Sequence, residues 1–126
     1  MENLLLDEND NVKIIDFGFS TCIPNDKKIK IFCGTPSYMA PEIVLKKEYE
    51  GPPADIWALG VLLFAILCGT FPFKGATDKE LYGKIMRSQY KLPEHVSPSA
   101  ANLIFRILSV DATQRPTAAK VIHFFR

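Results

Sequence analysis

The chain has 126 residues, 48% of them hydrophobic, which fits one domain able to bury roughly two-thirds of its unfolded surface. Its 15 basic and 14 acidic residues are spread along the sequence and leave a formal charge of +1, so there is no electrostatic footprint for nucleic acid or an anionic membrane. Cys22, Cys33 and Cys68 are odd in number and widely spaced without a C-x-x-C pair, which argues against a disulfide framework or zinc site and for a reducing compartment, cytoplasmic or nuclear.

The start is acidic and only briefly apolar, so neither a secretory signal nor a transit peptide is expected. Leu4-Leu5-Leu6 and Val12-Lys13-Ile14-Ile15 flank Asp7-Glu8-Asn9-Asp10-Asn11, whose side chains favour turns, and this predicts two short strands joined as a hairpin. Asn3 and Asp16 are then expected opposite one another at its open end. From Phe17 to Pro41 no period is sustained, and the basic stretch Lys27-Lys28-Ile29-Lys30 adds to a long loop of the kind that is usually functional or disordered.

After Gly51-Pro52-Pro53 a helix is predicted from near Ala54-Asp55 to Gly69, with Asp55 in the first turn and glycine at the stop. It is apolar on all faces and so expected as the buried axis of a helical domain. Its run from Ile56 to Cys68, about 13 residues, is too short to span a bilayer. Thr77-Asp78-Lys79-Glu80 is a capping box that opens a helix to about Ser88. Ser97-Pro98 opens another to about Ser109, and Thr117 caps a last one reaching the C-terminus. The expected fold is mainly α with a short β-hairpin.

Two tripeptides carry the chemistry. Asp16-Phe17-Gly18 follows a predicted strand, and Ala40-Pro41-Glu42 closes the run Gly34-Thr35-Pro36-Ser37-Tyr38-Met39-Ala40-Pro41-Glu42 at the end of the loop. D-F-G alone is a weak signal, but this combination is specific. Over essentially its whole length the chain resembles the eukaryotic serine/threonine protein kinase family. Cys68-Gly69-Thr70-Phe71-Pro72-Phe73 is similar to an element of its calcium/calmodulin-dependent and AMP-activated branch.

The resemblance implies ATP and magnesium as cofactors, with Asn3 and Asp16 as metal ligands and Leu5 under the adenine ring. It implies that Phe17 stacks in an internal hydrophobic column beside Gly18, with plain core packing the alternative for Leu5 and Phe17. Gly34, Thr35 and Pro36 would form the serine/threonine version of the substrate-docking loop. Glu42 and Arg115 would form a buried ion pair, for which a planar arginine is suited. Asp55 would anchor the backbone of the catalytic loop, its alternative being a first-turn helix carboxylate. The expected architecture is residues 1–126 as a partial kinase domain: the end of the catalytic loop, the activation segment 16–42, and the helices of a truncated C-terminal lobe of the α+β kinase-like fold.

The resemblance also has gaps. The glycine-rich loop, the strand lysine, its glutamate partner and the proton-accepting aspartate all precede residue 1 in the family. No catalytic base is therefore assigned within the chain, which is expected to be inactive alone, with Met1 an internal methionine of a longer active kinase. A non-catalytic docking or regulatory module is the alternative, and a structural helical domain would require both tripeptides to be accidental. Kinases of this branch often carry a phosphorylatable threonine where this chain has Ile31, although Thr21, Thr35 and Ser37 are nearby. Expected partners are Ser/Thr protein substrates, without nucleic acid or membrane, on a monomer prone to aggregate as a fragment.

Overall fold

The computed structural model of the protein describes residues 2–24 and 27–125. Met1, two positions of the 16–42 segment and the final residue lie outside the described residues.

The chain begins as a hairpin in which β1 (Leu4–Leu6) and β2 (Val12–Ile14) pair antiparallel, with Leu4 opposite Ile14 and Leu6 opposite Val12. Its loop closes on Asp7, whose Oδ1 accepts from the backbone N–H groups of Asn9 and Asn11 at 2.9 Å each, while Asp10 takes a left-handed φ of 61°. Aspartate and asparagine are suited to both roles. Those bonds, the one from the Asn11 backbone foremost, hold the Asp7 carboxyl below its ordinary pKa. Leu6, Val12 and Ile14 are exposed, and the hairpin contributes nothing to the buried core among the described residues.

A 3-10 turn at Pro36–Tyr38 leads into α1 (Pro41–Val44), followed by α2 (Gly51–Cys68), α3 (Asp78–Met86) and α4 (Pro98–Ile107). A second 3-10 turn, Ala112–Gln114, precedes α5 (Ala118–Phe124). The caps follow from local chemistry. Thr77 accepts from the Glu80 N–H at 3.2 Å while the Glu80 carboxylate reaches back to the Ala76 N–H at 2.9 Å. Ser97 and Thr117 accept from the N–H groups of Ala100 and Lys120. Gly69 stops α2 with φ 68°, its N–H bonded to the Ala65 carbonyl.

Helix α2 departs from expectation in three ways. It starts at Gly51, because the first turn has no intrahelical partners for its N–H groups and accommodates Pro52 and Pro53. Asp55 is consequently the fifth helical residue, and the first turn holds no acid. Nor is the helix buried all round: Ile56, Trp57, Val61 and Phe64 are buried, whereas Leu59, Leu67 and Ile66 (61% exposed) face outward. Composition made every face apolar, but the neighbours present, α4 and the two 3-10 turns, cover only one. At 18 residues and a mean hydropathy of 1.7 it is also long and apolar enough to cross a bilayer by length and composition alone, unlike the shorter run read from the sequence.

The core is built around Trp57, stacked on Phe73 with ring centroids 5.5 Å apart. Tyr90 meets Phe73 and Phe64 edge-on. Ile104, Ile107 and Leu108 close it from α4 and the residue after it. Gly60 is where α2 and α4 touch: a Cβ there would collide with Ile107 Cγ2 and lie 3.0 Å from Leu108 Cδ2.

Candidate functional site

The open end of the hairpin brings together Asn3 and Asp16, one rung out of step. The Asn3 carbonyl accepts from the Ile15 N–H at 3.0 Å, so Asn3 lies opposite Ile15 rather than Asp16. Asp16 takes a left-handed φ of 63°, and its Oδ1 accepts from the Gly18 N–H at 3.1 Å. A side chain at Gly18 would press its Cβ to 3.1 Å from that same oxygen. Both Asn3 and Asp16 are exposed.

One carboxylate and one amide are hard oxygen donors, a set that fits magnesium, which takes few protein ligands and fills its shell from phosphate and water. Among the described residues no three His, Cys, Asp or Glu side chains converge as a self-sufficient metal site. Leu5 and Phe17 are 52% and 67% exposed, so the described residues assemble neither an adenine floor nor a hydrophobic column around them. Their expected neighbours are not among the elements packed here. Phe17 instead closes a turn, its carbonyl accepting from the Ser20 N–H and hydroxyl.

Further along, the segment is fastened to Tyr49, a residue to which sequence reasoning gave no role. Ile29 and Tyr49 exchange both backbone hydrogen bonds, at 2.8 and 3.2 Å. The Tyr49 hydroxyl donates to the Ile31 carbonyl at 2.9 Å, and its ring contacts Phe32. Burial first, then the thiol of Cys33, pushes the Tyr49 hydroxyl pKa up. Lys30 pairs with Glu48 at 2.9 Å, whereas Lys27 and Lys28 are exposed. No periodicity announces such a contact; the aromatic residue before Gly51-Pro52 was its only signal.

Gly34 has φ 138°, and Thr35 and Pro36 open the 3-10 turn after it. The Thr35 side chain is exposed and makes no cap bond, while its carbonyl accepts from the Tyr38 N–H. Tyr38 packs edge-on against Phe71, centroids 5.3 Å apart, so the G-x-x-P-F element braces this loop. Ala40 and Pro41 are buried directly after it.

Glu42 ends the segment against Arg115. Arg115 Nη1 and Nη2 donate to the two carboxylate oxygens at 2.7 and 2.8 Å, a bidentate pair across 73 positions. Arg115 is 7% exposed, donates further to the carbonyls of Pro53 and Ser109, and lies 5.0 Å over the Trp57 ring. The clamp is therefore joined to the core. Asp55 is exposed and makes no hydrogen bond to Glu42 or Arg115, and desolvation of its carboxyl raises its pKa.

Comparison with known proteins adds the context of this geometry. A family model described as the protein kinase domain matches residues 1–124. The chain is 43% identical over 122 residues to "Probable serine/threonine-protein kinase MARK-A" of Dictyostelium discoideum, covering 97% of the chain and 12% of that protein. It is 45% identical over 120 residues to SNF1-related protein kinase catalytic subunit alpha KIN12 of Arabidopsis thaliana (95% and 24%). It is 42% identical over 120 residues to serine/threonine-protein kinase SIK2 of Gallus gallus (95% and 15%). The chain thus spans a quarter or less of the length of these curated relatives.

Proposed function

The chain belongs to the protein kinase domain family, and from that premise we propose that the whole protein transfers the γ-phosphoryl group of ATP to serine or threonine hydroxyls of protein substrates. The observation that carries this is the segment 16–42, with Asp16 and Asn3 at its start and the Glu42–Arg115 pair at its end. The named serine/threonine kinases among its relatives support the same reading. On this reading residues 1–126 belong to the C-terminal lobe.

Magnesium, when bound, would neutralise the phosphate oxygens during transfer. Asn3 and Asp16 would hold it through amide and carboxylate oxygens. The Gly18 N–H keeps Asp16 turned into its left-handed bend. Thr35 and Pro36, exposed or half-buried on a loop braced by Tyr38 and Phe71, would receive the substrate peptide. Glu42 and Arg115 fix the far end of that loop to Trp57 and the helical core. We assign no residue of the chain to take the hydroxyl proton. The packed face of α2 supports its reading as a core helix rather than a membrane span, and a cytoplasmic or nuclear monomer is part of the same proposal.

The test is transfer of labelled γ-phosphate by the full-length protein to serine, threonine and tyrosine peptides. Asp16→Asn should lower the rate at least about a hundredfold, because electrostatic stabilisation is the main catalytic resource of this reaction. An unchanged rate in that variant, or transfer to tyrosine alone, would overturn the reading.

A further inference from the structure

Two open clefts flank Tyr90, away from the residues assigned to phosphate and substrate. The first, of about 660 Å³, is walled by Arg87, Leu92, Phe105, Arg106 and Val110. The second, of about 490 Å³, is walled by Phe71, Pro72, Lys74, Lys84 and Lys91. No aspartate or glutamate lines either. In a chain with 15 basic and 14 acidic residues, five cations around two adjoining clefts without one carboxylate is a local sorting of charge.

Of the acids beside the clefts, Glu94, next to Pro93, is exposed and forms no ion pair among the described residues, while two others are engaged. Glu80 pairs with Lys84 at 2.7 Å, and Asp111, next to Val110, accepts from the backbone N–H and hydroxyl of Thr113. Arg87, Arg106, Lys74 and Lys91 form no ion pair among the described residues. Between the cations the walls mix apolar side chains with Ser109, Gln114, Thr70 and Gln89, and Phe105 stands 72% exposed on α4. The floor is firm: Tyr90 is wedged edge-on against Phe64 and Phe73, and Ser88 donates to the Leu108 carbonyl at 2.6 Å, tying the end of α3 to α4.

We propose that these clefts form one docking surface for an acidic peptide segment of a partner protein, anchored by an apolar side chain seated beside Phe105. Charge complementarity selects the occupant. Apolar side chains interleaved with the cations, and a net charge of only +1, favour a peptide over nucleic acid, which would need a continuous basic field. The proposal stands whether or not the phosphoryl-transfer reading does, since Phe71, which also braces the substrate loop, is the one residue the two share and no variant in the test changes it.

The test applies the 126-residue protein to an array of short peptides in which net charge varies independently of one phenylalanine or leucine. Acidic peptides carrying that anchor should be retained most strongly, and the best of them is then titrated by fluorescence anisotropy. Arg87→Glu/Arg106→Glu should raise Kd about tenfold or more, and Lys74→Glu/Lys91→Glu should weaken binding in the same direction. Phe105→Ser should weaken it at least about fivefold, and Arg87→Lys/Arg106→Lys should retain most of the affinity. Of the side chains changed, only Arg106 is hydrogen-bonded among the described residues, its Nε donating to Asn102 Oδ1 at 3.3 Å, and circular dichroism melts will verify folding of each variant. Preference for basic or uncharged peptides, a Kd unmoved by charge reversal in a folded variant, or displacement of the peptide by a lower concentration of single-stranded oligonucleotide would overturn the proposal.

Discussion

Replacing Arg115 by alanine should be the most destabilising single change in the helical body. The guanidinium holds both oxygens of Glu42 at 2.7 and 2.8 Å, and its side chain is fully buried, while that of Glu42 is 14% exposed. Removal strands the carboxylate in a poorly solvated site and releases the carbonyls of Pro53 and Ser109. Breaking one partner of a buried pair costs on the order of 3 to 5 kcal/mol. For a chain of this length that corresponds to a fall in Tm of roughly 10 to 20 °C. Denaturant and thermal unfolding followed by circular dichroism measure it directly. Glu42→Gln keeps the shape and removes the negative charge, so it should cost less than Arg115→Ala, and the double variant should cost less than the two single changes added together. A loss under about 1 kcal/mol for Arg115→Ala would refute the reasoning, because it would place the pair in the range of solvent-screened surface bridges.

Gly60→Ala should destabilise by about 1 to 3 kcal/mol through overpacking, since its Cβ would collide with the Ile107 side chain; an unfolding midpoint equal to that of the parent would mean α2 and α4 separate easily. The Glu80 carboxyl is held below its ordinary value of 4.5, first by its hydrogen bond with Lys84. Its contribution is thus present above that pH and lost as pH falls through the lower, folded value. Lys84→Met should flatten the acid-side decline in stability below that pH, and an unaltered pH profile would refute the coupling. Titrated with Mg-ATP by calorimetry, the 126-residue protein should bind at about millimolar Kd or weaker, because Leu5 and Phe17 are exposed where a nucleotide would need cover. A micromolar constant would show that residues 1–126 suffice to enclose ATP.

The features legible in the sequence were those decided locally. Thr77, Ser97 and Thr117 cap their helices and Gly69 stops α2, because each choice depends on a few neighbouring N–H or C=O groups. The hairpin was legible for the same reason. Its register was not, since pairing is fixed by the bond from the Asp7 N–H to the Asn11 carbonyl, which shifts the expected partner of Asn3 by one residue. The buried face of α2 depends on which elements cover it, and a helix apolar on every side carries no record of that choice. Nothing in spacing links Glu42 to Arg115 across 73 positions; resemblance to a family was needed to suggest it. Tyr49 was missed altogether, because a single backbone bridge between two loops has no periodic signature.

The segment from Asp16 to Glu42 is held in two different ways, and this bears on how it is ordered around Ile31. At its end, charge does the work: Glu42 meets a buried guanidinium that leans on Trp57. Near Ile31 the fastenings are mostly neutral, two backbone bonds between Ile29 and Tyr49 and the Tyr49 hydroxyl on the Ile31 carbonyl. Isoleucine offers no hydroxyl for a phosphate, and Lys30, a nearby cation that could have met one, is already paired with Glu48. A phosphate orders a loop by recruiting cations, whereas backbone hydrogen bonds between neutral groups need none and are little affected by salt. The part of the segment that resembles a phosphorylation switch is thus held by contacts that require no phosphate, and its order here depends on Tyr49.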